Sequence, residues 1–185
     1  MIELEYNIDS VLDRFGAEKW LDRYWAILSQ ENQKVNLVSR ETDLPRFRRL
    51  VAEALLPFTQ IERNFDSYLD IGSGGGIPSI PLLLAGIATG EAELFERTKK
   101  KTVPLAGILR TLGLTSATIV PESFGERAIG RSFSLVTLSY VTLTPTLFDS
   151  IRAHLKDGGV LVYYSHPEFA AQILKVQLFS YAHFG

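Results

Sequence analysis

The sequence predicts a doubly wound α/β fold with a mostly parallel sheet, preceded by a helical N-terminal region. From Asp66 onwards, short apolar runs alternate with segments of helical spacing, which is typical of parallel strands joined by right-handed crossovers. Before that point the apolar residues recur at helical spacing only. We therefore predict a helical region over residues 1–63, packed on an α/β unit over residues 64–185.

Composition excludes several classes of protein. The 185 residues contain no cysteine, which excludes disulfides and thiolate metal sites, and the three histidines are too scattered to suggest a metal cluster. No apolar run reaches the length of a membrane span and no signal peptide is visible, so we expect a cytoplasmic protein without membrane or metal partners. With a net charge of −2, any contact with RNA must come from a local basic patch.

Three helices are predicted in the N-terminal region. Asn7 and Ser10 offer capping side chains for a first helix that ends near Gly16. The tryptophans and the tyrosine of the second helix are predicted to be core residues rather than a platform for stacked bases. The second helix is predicted from Ala17 to Asn32, the connection from Val35 to Arg40, and the third helix from Leu44 to Gln60.

Five strands alternate with helices in the second region. Gly113 is a suitable C-cap for the helix that follows the second strand. The predicted strands are Tyr68–Ile71, Glu91–Arg97, Ala117–Val120, Phe133–Ser139 and Val160–Tyr164. The predicted helices are Ile77–Ala85, Thr102–Leu112 and Leu147–Leu155, and a turn is predicted over Lys156–Gly159.

The chain is organised around the stretch from Tyr68 to Leu82, which is predicted to run from strand through glycine turn to helix. A dinucleotide-binding loop would need glycine as the sixth residue from Gly72, but that position is Ile77. An acidic residue followed by Gly-x-Gly-x-Gly stands there instead. This pattern resembles motif I of class I S-adenosylmethionine-dependent methyltransferases, which implies a Rossmann-like fold and that cofactor.

Two further features are expected near this loop. Glu96 closes the second strand about twenty residues beyond the loop, where a carboxylate can accept hydrogen bonds from ribose hydroxyls. Asp70 is expected to accept loop amides or to face the methionine ammonium of the cofactor. Lys99, Lys100 and Lys101 form a basic run that could be a solvated face or a contact for RNA phosphates.

A longer stretch is similar to the GidB/RsmG family, whose members methylate nitrogen 7 of a guanine in bacterial small-subunit ribosomal RNA. The residues that carry the resemblance are Gly74–Leu82, together with Val35–Leu37, Ala54–Pro57, Phe95–Lys101 and Phe133–Thr137. The resemblance covers roughly residues 15–165. It implies a partner in ribosomal RNA or the small ribosomal subunit.

The resemblance and the strand ends together give a set of expected site residues, although no catalytic residue is predicted. Those expected to bind the cofactor are Asp70, Gly72, Ser73, Gly74, Gly75, Gly76, Ile77, Pro78, Glu96, Arg97, Ser123, Phe124 and Ser139. Those expected to contact RNA are Asn36, Arg40, Arg46, Arg48, Arg49, Lys99, Lys100 and Lys101.

Three segments depart from the family pattern and leave other functions open. The family carries Arg-Ala-Glu where this chain has Glu122–Phe124, an active-site Ser-Arg-Ala where it has Leu138–Tyr140, and a His-Phe-Leu-Asp-Ser type segment where it has Arg48–Glu53. Two alternatives follow from these departures. The chain could methylate a small molecule or a protein, or it could be a non-catalytic binding protein on a methyltransferase scaffold.

Overall fold

The computed structural model describes residues 6–126 and 129–165 of the chain. These residues include the strands β1 (Phe65–Ile71), β2 (Ala88–Phe95), β3 (Ala117–Val120), β4 (Phe133–Ser139) and β5 (Leu155–Tyr164). The strands form one sheet in the order β3-β2-β1-β4-β5, and every neighbouring pair is parallel. The predicted fold class is therefore confirmed, with β1 at the centre of the sheet.

Six α-helices are found among the described residues, and side-chain caps set the starts of three of them. Asn7, Asp43 and Thr144 each accept a hydrogen bond from a backbone amide in the first turn of the helix that follows. The helices are α1 (Ile8–Arg14), α2 (Leu21–Lys34), α3 (Leu44–Leu55), α4 (Ser79–Leu84), α5 (Lys99–Leu112) and α6 (Pro145–Ala153). A short 3-10 turn at Ala17–Lys19 precedes α2, and a second one at Leu56–Thr59 follows α3.

Each face of the sheet has its own hydrophobic core. Successive residues of a strand point to opposite faces, so Tyr68 joins one core and Leu69 joins the other. The first core contains buried side chains of the helices α1 to α5, including Phe47 of α3 and Leu105 of α5. The second core is covered by α6, through Ile151. The helices before β1 and the sheet thus share one continuous core.

Several boundaries differ from the predicted ones for local reasons. The third helix was predicted to reach Gln60, but α3 ends at Leu55 and the chain continues as the 3-10 turn Leu56–Thr59. Pro57 has no amide to donate, so it cannot extend the hydrogen-bond ladder of the α-helix. The second strand was predicted over Glu91–Arg97, but β2 covers Ala88–Phe95, and the carboxylate of Glu96 after it accepts from the amides of Gly74 and Thr98.

Further differences lie at strand and helix ends: β1 starts at Phe65 and not at Tyr68, and α2 covers Leu21–Lys34 and not Ala17–Asn32. The helix after β2 starts at Lys99, three residues before the predicted start, and α6 covers Pro145–Ala153 instead of Leu147–Leu155. The predicted turn Lys156–Gly159 lies inside β5, where the register against β4 shifts and Gly158 has a φ of 70°. The turn residues therefore bulge from a strand that begins earlier than predicted.

The strand order changes direction between β1 and β4, because β2 and β3 extend the sheet on one side of β1 and β4 and β5 on the other. In parallel sheets, ligands bind beyond the carboxyl ends of the strands at such a point. Within residues 6–126 and 129–165, no helix combines the length and the apolar character that crossing a membrane requires. No group of three or more potential metal ligands is found in the same ranges.

Candidate functional site

The glycine loop, residues 72–76, lies at the carboxyl end of β1, where the strand order changes direction. Gly72, Gly74 and Gly76 have φ angles of 81°, 52° and 88°, which glycine adopts more readily than any other residue. The amide of Gly76 donates to the carbonyl oxygen of Ser73 at 2.7 Å. The loop therefore folds into a tight turn that exposes backbone rather than side chains to a ligand.

One side of the glycine loop is packed and the other is open. A Cβ atom added to Gly75 would lie 2.8 Å from the carbonyl oxygen of Leu37, so the connection after α2 leaves no room for a side chain. The hydroxyl of Tyr24, in α2, donates to the carbonyl oxygen of Gly75 at 3.1 Å. A Cβ atom added to Gly74 would have only the carbonyl oxygen of Gly72 within 4 Å, at 3.8 Å. A ligand can therefore approach the loop at Gly74.

Glu96 connects the glycine loop to the end of β2. Its Oε2 atom accepts from the amide of Gly74 at 2.9 Å, and its Oε1 atom accepts from the amide of Thr98 at 2.7 Å. The side chain is 5% exposed. A carboxylate offers about four acceptor positions, so these two bonds leave capacity for hydroxyl groups of a ligand. Glu96 lies where the sequence predicted it, with an additional structural role in holding the loop.

Asp70 is the buried acid beneath the loop. Its Oδ1 atom accepts from the hydroxyl of Thr137 at 2.6 Å, and Thr137 is also 2.7 Å from the hydroxyl of Tyr68. Burial raises the pKa of Asp70, although the hydroxyls of Thr137, Ser73 and Ser79 partly offset the rise. Among the described residues, neither Asp70 Oδ2 nor the Ser79 hydroxyl makes a hydrogen bond of normal geometry. Asp70 and Ser79 are both completely buried beneath the loop.

The structure places the other expected cofactor residues unevenly around the loop. Ser139 is buried at the end of β4, and its carbonyl oxygen lies 3.5 Å from a Cβ atom added to Gly72. The ring of Phe124 instead contacts Phe95 and His154 edge-on, at 5.6 Å between centroids in each case, and so belongs to the second core. Ile77 is half-buried and Arg97 is exposed. Pro78, directly before α4, is buried, and Ser123, next to Phe124 in the chain, is half-buried.

The basic residues expected to contact RNA fall into two groups. Lys99, Lys100 and Lys101 form the first turn of α5, which starts directly after Glu96 at the loop edge of the sheet. The arginines of α3 are engaged with neighbouring acids or with other groups. Arg46 lies 3.9 Å from Glu41, Arg48 pairs with Asp9 of α1 at 2.8 Å, and Arg49 also has an interaction partner.

The remaining two RNA candidates lie in the connection between α2 and α3. The side chain of Arg40 donates to the Oδ1 atom of Asn36 at 2.6 Å, and both residues are exposed. Leu37, in the same connection, is the residue that packs against Gly75. Asn36 and Arg40 therefore flank a segment in direct contact with the glycine loop.

Sequence reasoning missed three residues of this region. Thr137 had a detectable signal, because it is a polar residue inside an apolar strand. Tyr24 was expected only as a core residue, and no local pattern indicates a hydrogen bond to Gly75, 51 positions away. Tyr140, which follows β4, has a positive φ that the sequence does not reveal.

Comparison with known proteins gives a consistent result. A family model described as GidB, rRNA small subunit methyltransferase G, matches residues 17–177. A protein named ribosomal RNA small subunit methyltransferase G from Chlorobium luteolum is 36% identical over 143 residues, covering 75% of this chain and 58% of that protein. The protein of the same name from Chlorobium phaeobacteroides is 32% identical over 158 residues, covering 84% of this chain and 70% of the relative. The chain thus spans 58% and 70% of their lengths.

Solved structures agree on the fold. The glycopeptide N-methyltransferase MtfA superposes with a TM-score of 0.53 and 21% identity, over 61% of this chain and 52% of MtfA. Coclaurine N-methyltransferase superposes with a TM-score of 0.56 and 14% identity, over 68% of this chain and 37% of that enzyme. At these identities the likeness shows the Rossmann-like fold of class I S-adenosylmethionine-dependent methyltransferases.

Proposed function

The chain belongs to the family of rRNA small subunit methyltransferase G, and from this premise we propose that it methylates nitrogen 7 of a guanine in small-subunit ribosomal RNA. The methyl donor is S-adenosylmethionine. The small ribosomal subunit, or its RNA, is then the macromolecular partner. A cytoplasmic location follows from that substrate.

The observation that carries the proposal is the geometry at Gly74. The backbone there is open to a ligand, the carboxylate of Glu96 lies beside it, and the buried carboxyl of Asp70 lies beneath. This arrangement suits a nucleoside cofactor without phosphates, because the loop offers close backbone approach and the carboxylate offers acceptors for ribose hydroxyls. We therefore assign to the cofactor the expected residues at this open side of the loop, with Gly74 and Glu96 at its centre.

The chain's residues act mainly by binding and orienting. S-adenosylmethionine supplies a methyl group on a positively charged sulfur. Nitrogen 7 of guanine already carries a free lone pair, so no side chain has to remove a proton from the nucleophile. Holding the two reactants close and in line is the largest contribution a protein can make to such a displacement. Accordingly, no side chain of the site is assigned as a general base.

The start of α5 supports contact with RNA. Three lysines in the first turn of a helix oppose the helix dipole, which favours negative charge there. A stretch that costs helix stability and faces the ligand edge of the sheet is well placed to bind phosphates. Asn36 and Arg40 add polar groups beside the loop, whereas Arg48 is already paired with Asp9.

The proposal is tested by methyl transfer from isotopically labelled S-adenosylmethionine to small-subunit ribosomal RNA transcribed in vitro. We expect labelled 7-methylguanosine in the nuclease digest, identified by mass spectrometry. The matched control is Gly74→Val, which fills the open side of the loop and resists positive φ, and should abolish both cofactor binding and transfer.

The alternatives give different results in the same assay. Cofactor binding by calorimetry without transfer to any RNA would indicate a small-molecule or protein substrate. No binding of the cofactor at millimolar concentration would indicate a scaffold without catalysis. Either result would overturn the ribosomal target.

A further inference from the structure

Tyr140 follows the last residue of β4, the strand next to β1 on the far side from Glu96. The segment it begins passes directly beside the glycine loop, because a Cβ atom added to Gly72 would lie 2.5 Å from the side chain of Val141. Tyr140 is therefore at the carboxyl edge of the sheet, where ligands of this fold bind.

The backbone of Tyr140 is strained. Its φ is 54°, and among the described residues it is the only residue other than glycine with a positive φ. Left-handed backbone is unfavourable for a side chain with a Cβ atom and is an outlier for a bulky residue. Strained positions of this kind concentrate at binding and catalytic sites, where the surrounding structure holds them in place.

No interaction of the Tyr140 side chain with the described residues offsets this strain. The ring of Tyr140 is 90% exposed, so no burial offsets the backbone cost. Its hydroxyl and its ring contact no other described residue through a hydrogen bond, an ion pair or an aromatic pair. An aromatic face held in solvent at the edge of a ligand site is available to an outside partner.

We propose that the ring of Tyr140 is the surface on which the guanine to be methylated stacks. This inference rests on the proposed function and adds the residue that holds the target base. The lone pair of nitrogen 7 lies in the plane of the guanine ring, so the methyl group must approach within that plane. A protein that contacts the base through its face leaves this in-plane approach free, and stacking on an aromatic ring is such a contact.

The geometry also separates this role from cofactor binding. The open side of Gly74 and the carboxylate of Glu96 lie towards β2, whereas Tyr140 follows β4 on the other side of β1. The base and the cofactor are thus assigned to opposite sides of the loop. Removing the ring should weaken use of RNA and leave the affinity for S-adenosylmethionine unchanged.

The test compares Tyr140→Phe, Tyr140→Ala and Tyr140→Asn with the wild-type chain, using small-subunit ribosomal RNA transcribed in vitro. Stacking of one base on an aromatic ring is worth roughly 1–3 kcal/mol, so Tyr140→Ala and Tyr140→Asn should lower kcat/KM about 5- to 150-fold. Tyr140→Phe keeps the ring and should retain the wild-type value. Asparagine tolerates left-handed backbone, so Tyr140→Asn should melt at or above the wild-type temperature, which excludes misfolding as the cause.

Each contrary outcome has its own meaning. If wild type is active and the alanine and asparagine variants match its kcat/KM, stacking on Tyr140 is wrong while the proposed function stands. Equal losses in the phenylalanine and alanine variants would assign the effect to the hydroxyl and overturn the inference, as would a parallel loss of cofactor affinity by calorimetry. If wild type neither binds nor methylates the RNA, the proposed function fails and the inference fails with it.

Discussion

At the scale of single residues, Glu96 combines two roles that the sequence presents as one. Its position after β2 predicts an acceptor for ribose hydroxyls. The structure shows that its two oxygens already hold the amides of Gly74 and Thr98. Substitution should therefore affect the shape of the loop as well as any contact with the cofactor.

We expect Glu96→Gln to leave one of these amides facing an NH₂ group, and Glu96→Ala to leave both amides without a partner. Each orphaned, partly buried donor should lower the free energy of unfolding by about 1 kcal/mol, the low end of the penalty for a buried donor, and cofactor affinity should fall in the same order. Thermal melts and calorimetry measure both quantities. Glu91→Gln, on the same strand but with its side chain 77% exposed, is the control. An unchanged melting temperature for Glu96→Ala would show that Glu96 does not hold the loop.

Asp70 gives a prediction with a defined dependence on pH. Burial raises its pKa above the ordinary value of 3.8, so the stability it contributes is present below that value and is lost as pH rises through the raised pKa. Asp70→Asn does not titrate and keeps an acceptor for Thr137. The variant should therefore melt above wild type at neutral pH, by a margin that grows as pH rises, and should bind S-adenosylmethionine more weakly.

Asp66, on the same strand, supplies a control of opposite sign. Hydrogen bonds from Ser134, Lys156 and Ser67 lower the pKa of Asp66 to about 2. Its stabilising contribution is present above the unfolded value of about 3.8 and is lost as pH falls through about 2. Asp66→Asn should thus melt below wild type at neutral pH and converge with it in acid. Melting curves of both variants that shift in the same direction would contradict this assignment.

At the scale of an element, the first turn of α5 consists of lysines, whose positive charge the helix dipole disfavours at that end. Thr98 caps the helix without a side-chain hydrogen bond, and its amide is held by Glu96. That local contact, between residues two positions apart, fixes the residue before Lys99, where the helix starts instead of at the predicted Thr102. The three lysines of the first turn are consequently fixed at the edge that carries the glycine loop.

Reversing Lys99, Lys100 and Lys101 to glutamate should separate binding from stability. Acidic residues in the first turn favour the helix, so the melting temperature should not fall. RNA affinity should fall, and the slope of log affinity against log salt should decrease by about 0.7–0.9 for each phosphate that the variant no longer neutralises. Filter binding at several salt concentrations measures this slope.

Arg110→Glu is the matched control, because Arg110 lies in the last turn of the same helix, about 16 Å along its axis from Lys99. It should leave the salt slope unchanged while lowering the melting temperature slightly, since it places a negative charge at the helix C-terminus. Equal effects of both changes on RNA binding would mean that α5 contributes only net charge. The arginines of α3 are poorer targets, since Arg48 pairs with Asp9 of α1.

At the scale of the whole molecule, the helices before β1 complete the site. Tyr24 and Leu37 contact Gly75, and residues of α1, α2 and α3 share a core with the sheet. The boundary predicted between residues 63 and 64 therefore marks a change of sequence pattern inside a shared core. That residues 1–63 and 64–185 are two separate units stays a prediction.

We expect the chain to unfold in one cooperative transition, since a shared core couples the two regions. Both tryptophans of the chain, Trp20 and Trp25, lie in the N-terminal region, so their fluorescence reports that region alone. Far-UV circular dichroism reports every helix and strand. The two urea transitions should coincide in midpoint and slope. A fluorescence transition at lower urea than the dichroism transition would show that residues 1–63 unfold independently.

Much of the fold and part of the site follow from local patterns. The strands Ala117–Val120 and Phe133–Ser139 were predicted with the bounds that the structure has, because both are short runs rich in apolar and β-branched residues between turn residues. The glycine spacing and the acid at the end of β2 located the loop edge. Helix starts were less predictable, because contacts such as that between Glu96 and Thr98 shift them.

The sequence by itself determined the fold class, the family and the position of the glycine loop, since strand–helix alternation and short motifs can be read directly along the chain. The tertiary structure alone decided which sides of the glycine loop are packed or open, that Glu96 holds two amides, and that Tyr140 is strained and exposed. These features arise where distant segments meet: Tyr24 and Gly75 are 51 positions apart, and Asp70 and Thr137 are 67 apart. Contacts of this kind depend on how the faces of the sheet are covered, which no local pattern of residues encodes.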